Sequence, residues 1–234
     1  AAVEYMEEAL SIRKHIYGRN HPRFARGLYY LAMAEMKCGK FETAVSDFEY
    51  AMEIQKIAMG DDNSDFKDTV NELRNSRIEL CKYYSELGQY EKALEHFLKA
   101  VELSGCKNNE ERLDIILKYA FLYAKTGEEK RAFEILESAK NIILCKYGEC
   151  SLQYADALKA EGKLLVETGN LPEGEKLLVK ALETEFIIVG DKGRSIGEIS
   201  VFIGNTLQKE KKIEKDNGNI LHARTNDDDS VSYL

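Results

Sequence analysis

Glycine, small and aromatic positions return along this chain in one fixed order. The strongest copies read Gly39, Phe41, Ala44, Phe48, Ala51 and Gly88, Tyr90, Ala93, Phe97, Ala100. Weaker copies read Gly127, Glu129, Ala132, Leu136, Ala139 and Gly169, Leu171, Gly174, Leu178, Ala181. Within each copy the small and large residues fall three and four apart, which stacks them on one face of an α-helix. A further small residue precedes each glycine by seven positions: Ala32, Cys81, Ala120 and Gly162. Each copy therefore predicts two helices joined by a turn at the glycine. A partial copy opens the chain, with Met6 and Ala9 at the last two positions.

The pattern is one of packing. Glycine takes the left-handed backbone that ends the first helix. The first alanine lies where two helices approach closely, and the aromatic one turn later fills the gap to the next unit. The last alanine admits the first helix of the following repeat. Successive glycines are 49, 39 and 42 residues apart. The added length falls between one repeat's second helix and the next repeat's first. The residues Asp61 to Lys67 predict either a longer first helix in the third repeat or a loop capped by Ser64 or Asp65. Ser104 to Asn109 reads as a break between repeats, and Pro22 sits at a first helical turn, where its missing amide costs nothing. From Asp191, the spacing of Ile196, Ile199, Ile203 and Leu207 predicts a helix that caps the stack.

This spacing resembles the tetratricopeptide repeat, a helix–turn–helix unit of about 34 residues. Residues 4–58 more closely resemble the longer variety found in kinesin light chains. Its marks are Glu7-Glu8-Ala9-Leu10, Ile12-Arg13, Gly18, the His21-Pro22 pair and Leu31-Ala32 before Gly39-Lys40-Phe41. The resemblance implies an all-α fold, a right-handed α-α superhelix of about five repeats with a C-terminal capping helix, over 1–209. Residues 210–234 turn charged and asparagine-rich, which predicts a disordered tail. Kinesin light chains usually carry asparagine two residues before the alanine of Leu-Ala, on the groove side; here Tyr30 stands there. The chain opens inside a repeat and without methionine, as a fragment, a processed form or an incomplete gene model would.

Composition narrows the function class. A net charge of −8 opposes nucleic-acid binding, which needs a concentrated basic surface. No apolar run reaches bilayer-spanning length, so membrane insertion is not expected. Five scattered cysteines, Cys38, Cys81, Cys106, Cys145 and Cys150, read as reduced thiols in a cytoplasmic protein. No nucleotide loop, paired-histidine metal motif or nucleophile–base spacing occurs, so neither enzyme nor cofactor is expected.

The expected activity is therefore binding, in an adaptor or scaffold. Repeats of this class line a groove with their first helices. The register places Tyr29, Met33, Met36 and Lys37 there in the second repeat, and Ile78, Lys82 and Ser85 in the third. The fourth repeat contributes Asp114, Leu117, Phe121 and Lys125; the fifth contributes Asp156, Lys159, Lys163 and Glu167. The expected partner is a protein, through a peptide or helix held by apolar anchors with lysines and acids setting register. The alternative is a structural scaffold, for example ciliary or cytoskeletal, that assembles through its convex face and ends. The last residues, Ser232-Tyr233-Leu234, resemble the ligand of PDZ domains, a second class of protein partner.

Overall fold

A computed structural model describes residues 2–104, 109–190, 201, 202 and 204. Helices follow the repeat: α1 (Ala2–Tyr17), α2 (Pro22–Lys37), α3 (Phe41–Met59), α4 (Ser64–Glu86) and α5 (Tyr90–Leu103). Then come α6 (Asn109–Tyr119), α7 (Phe121–Lys125), α8 (Glu129–Tyr147), α9 (Leu152–Glu167) and α10 (Leu171–Val189). The fourth repeat's first helix is split into α6 and α7 at Ala120, a break the sequence pattern did not predict. Two compact units, Ala1–Ala132 and Phe133–Leu234, divide the chain within α8. Val201, Phe202 and Gly204 have helical backbone; the rest of the expected capping helix, and all of 210–234 with the PDZ-type tail, lie outside the described residues.

The glycine turn works as its spacing implies. Gly39 has φ +74°, and its N–H donates to the Met36 carbonyl at 3.1 Å. The next N–H, of Lys40, donates to the Glu35 carbonyl at 3.0 Å, so two orphan carbonyls of α2 are satisfied by the turn itself. Gln89, Glu128 and Asn170 repeat the second bond, to Tyr84, Tyr123 and Leu165.

Some helix starts carry a side-chain cap. His21 Nδ1 accepts from the Arg23 N–H at 3.1 Å, ahead of Pro22. The expected extension of the third repeat's first helix is present, since α4 runs for 23 residues. Its cap is Asn63 rather than Ser64 or Asp65, because an asparagine oxygen reaches the N–H two residues on, here Asp65 at 2.8 Å.

In the first unit the core lies between α2, α3 and α4. Ala32, Ala44, Val45, Phe48, Leu73 and Leu80 form one buried cluster. Burial of a Phe48-sized side chain stabilises by about 1.5–3 kcal/mol. A polar chain then ties α3, α4 and α5 together. Arg77, 4% exposed, pairs with Glu49, and its Nη1 lies 3.3 Å from Nδ1 of His96. His96 stacks on Tyr84 with centroids 5.5 Å apart, and the Tyr84 hydroxyl donates to Glu42 at 2.9 Å. Burial, then the Arg77 charge, lowers the His96 pKa, which favours the neutral ring that accepts from Arg77.

In the second unit α9 and α10 meet at glycines. A Cβ on Gly162 would stand 3.0 Å from the Gly174 carbonyl oxygen, and one on Gly174 would stand 2.8 Å from that of Gly162. Leu158, Leu164, Leu178 and Ala181 are buried around this contact. Lys140 of α8 pairs with Glu161 of α9 at 2.5 Å.

Candidate functional site

The lengthened α4 borders a cavity in the first unit. Its extra N-terminal turns bring Asp65, Asp68 and Thr69 opposite Arg26, Tyr29 and Tyr30 of α2, with Gln55 of α3 between them. The space measures about 230 Å³. Each wall is fixed from below. Tyr29 packs edge-on against Phe48 at 5.6 Å and against Tyr30 at 5.5 Å. Thr69, fully buried, donates its hydroxyl to the Asp65 carbonyl at 2.8 Å. Tyr30 remains 41% exposed; its hydroxyl accepts from Arg26 Nε at 3.4 Å, and the guanidinium lies 5.9 Å from the ring centroid.

The cavity is electrostatically negative toward α4. Burial raises the Tyr29 pKa most, and Glu72 and Asp68 of α4 raise it further. The Arg26 pKa is raised by its bond to Tyr30 and by Asp65. Gln55 is 2% exposed, and its side-chain oxygen has no hydrogen-bond partner. On the other side of Arg26 and Tyr30 lies a second, basic hollow that adds Arg13, Tyr17 and Arg23. There Arg23 donates to the Tyr17 hydroxyl at 2.7 Å and lies over that ring at 5.0 Å.

The residues expected in the groove are placed unevenly. Tyr29 lines the cavity, while Met33 and Met36 are half-buried against the α2–α3–α4 core. Lys37 and Lys82 are exposed, Ile78 is half-buried, and Ser85 donates to the Cys81 carbonyl at 2.6 Å. Asp114 pairs with Lys118 one turn on, Leu117 and Phe121 are half-buried, and Lys125 is exposed. In the second unit Asp156 pairs with Lys159 at 2.6 Å, Lys163 lies 5.4 Å from the Phe202 ring centroid, and Glu167 is exposed. Arg26, Gln55, Asp65, Asp68 and Thr69 were not anticipated. The 49-residue spacing, with acids three apart in the added turns, was the available signal.

The repeat geometry is matched elsewhere. Tetratricopeptide repeat family profiles match residues 1–23 and 80–105. Solved structures agree in fold. The nearly identical TPR-like repeats of a Podosopora anserina protein described as a putative kinesin light chain align with TM-score 0.58 at 20% identity, over 80% of this chain and 87% of that one. BtubC (BKLC) from P. vanneervenii aligns with TM-score 0.58 at 18% identity, over 100% of this chain and 91% of that one. Among the described residues the chain is an all-α fold of tetratricopeptide-type helix pairs.

Two curated relatives are also similar. The secreted RxLR effector protein RXLR-C07 of Plasmopara halstedii is 25% identical over 90% of this chain, and the RxLR effector protein SFI4 of Phytophthora infestans is 25% identical over 82%. The chain spans 62% and 55% of their lengths. Among the described residues, no helix is long and apolar enough to cross a membrane.

Proposed function

We propose that this repeat protein is a non-catalytic interaction module that holds a peptide or partner helix against the first helices of its repeats. The supporting observation is the α2 face. There Tyr29 and Tyr30 stand beside two open hollows, flanked by Arg26 and Arg23. Tyrosine and arginine on rigid helices are the residues that dominate binding energies at protein interfaces. Peptide-display selection against the full chain tests this reading. Selected peptides should lose most of their affinity on Tyr30→Ala, a change at an exposed ring that leaves folding intact. Peptides indifferent to Tyr30, or an empty selection, would sink it.

One observation favours assembly through an outer face instead. At the end of α10, Phe186, Ile187, Ile188 and Val189 are 54%, 79%, 40% and 40% exposed. A contiguous apolar run of this kind marks contact surfaces. Light scattering of the full chain separates the two readings, since Ile187→Asp would dissociate an assembly and leave peptide capture unchanged. For the setting, the kinesin light chain-like neighbours favour a cytoplasmic, cytoskeleton-associated adaptor, and the effector-named relatives favour a secreted protein. Co-sedimentation with microtubules discriminates them.

A further inference from the structure

We propose that the cavity between α2 and α4 seats the cationic side chain, lysine or arginine, of the partner segment. This rests on the groove reading above and names what that groove selects.

The groups facing the cavity are mostly acceptors. Asp65 and Asp68 contribute carboxylates, and Glu72 stands one turn beyond Asp68 on α4. Thr69 has already spent its proton on the Asp65 carbonyl, so its oxygen is left as an acceptor. Gln55 lines the cavity, and its Oε1 is buried and without a donor, so a turn of that amide toward the cavity offers an acceptor to an incoming N–H. A buried acceptor left unpaired carries a standing penalty that an incoming N–H removes. Lysine and arginine termini are donors only, and so complement these groups. An acidic side chain would meet two carboxylates and a carbonyl oxygen. Arg26 is the one cation among the lining residues; its Nε donates to the exposed Tyr30 hydroxyl at 3.4 Å, and Asp65 raises its pKa. The Arg26 guanidinium lies 5.9 Å from the Tyr30 ring centroid, an aromatic face of the kind that attracts a cation. The volume, about 230 Å³, is several times the roughly 30 Å³ share of one liquid water and takes a long side chain.

The test uses the full chain and three capped tripeptides, acetyl-Gly-Xaa-Gly-amide, with arginine, lysine or citrulline at the centre. Binding is followed by NMR at the Gln55 side-chain amide and the Asp65–Thr69 backbone. The arginine and lysine peptides should shift these signals saturably, with citrulline at least about tenfold weaker, the scale of losing one charge-assisted contact. Asp68→Asn, at an exposed position, should weaken the arginine peptide by about the same factor, and Gln55→Met should weaken it without unfolding the chain. Equal binding of citrulline, or shifts confined to other helices, would overturn the seat. Agmatine bound more tightly than the arginine peptide would overturn the assignment to a peptide and leave a free diamine. Display-selected peptides that need Tyr30 but ignore Asp68→Asn would sink the seat and spare the groove. An empty selection with the arginine peptide still bound would sink the groove reading instead.

Discussion

The pairs α2–α3 and α9–α10 carry the same register of positions and fill it in opposite ways. Gly39 and Gly169 end the first helix of each pair, with φ +74° and +93°. Where α2 meets α3 the small residues are Ala32 and Ala44, and the large one is Phe48, fully buried. Where α9 meets α10 they are Gly162, Gly174 and Leu178. The backbone enforces a volume rule rather than residue identities. A smaller plug, Leu178, goes with smaller contacts, and a Cβ on either glycine would stand within 3.0 Å of the other's carbonyl oxygen. The glycines of α9–α10 also cost helix propensity, roughly 1 kcal/mol each relative to alanine.

The largest test of that rule removes the plug. Phe48→Ala should cost about 3–5 kcal/mol, because the surrounding alanines cannot collapse into the space. Leu178→Ala should cost about 2–5 kcal/mol, toward the lower end if the closer helices relax together. Urea unfolding of the full chain followed by helix signal measures both. Equal losses would mean that the two contacts are equally rigid and that the volume argument fails. The reciprocal change, Leu178→Phe, should cost about 1–3 kcal/mol by overpacking.

A finer test exchanges the small residues. Gly174→Ala adds good helix propensity, yet its Cβ would stand 2.7 Å from Val166 Cγ2 and 2.8 Å from a backbone oxygen. The helices must separate, so a net loss of about 1–2 kcal/mol is expected. Ala44→Gly in α3 loses only a methyl contact and propensity, about 1 kcal/mol. A stabilising Gly174→Ala would show that α9 and α10 are not held at glycine distance.

The same contrast explains what could be read in advance. Alanine, glycine and aromatic spacing foretold every helix pair, because close contact admits few residue types. The split at Ala120 was not visible, since Tyr119, Ala120 and Phe121 are all compatible with a helix. For the candidate site, register picked out Tyr29 but not its surroundings. Met33 and Met36, expected in the groove, are half-buried against the α2–α3–α4 core. Gln55 escaped notice because a lone polar residue in a second helix carries no pattern. Only the cavity formed by the added turns of α4 gives it meaning.

The smallest effect is also the most diagnostic of the two pairs. The positions of Leu165 and Leu177 in α9–α10 are held by Glu35 and Asp47 in α2–α3. Glu35 is 5% exposed, and one of its oxygens has no partner. Burial, then the charges of Glu35 and Glu7, push the Asp47 carboxyl up to about 6; burial raises Glu35 as well. An unfolded aspartate titrates near 3.9. The folded chain therefore holds a proton on Asp47 that the unfolded chain has lost between about pH 4 and 6. The contribution is fully present below about pH 4 and disappears as pH rises through about 6. Discounted for the partial exposure of Asp47, it amounts to about 1 kcal/mol. Asp47→Asn should be more stable than the native chain by about that amount at pH 7.5 and indistinguishable from it at pH 4. A difference that does not change with pH would place the penalty in packing rather than charge. The leucines of α9–α10 would then fill the same role as the two acids.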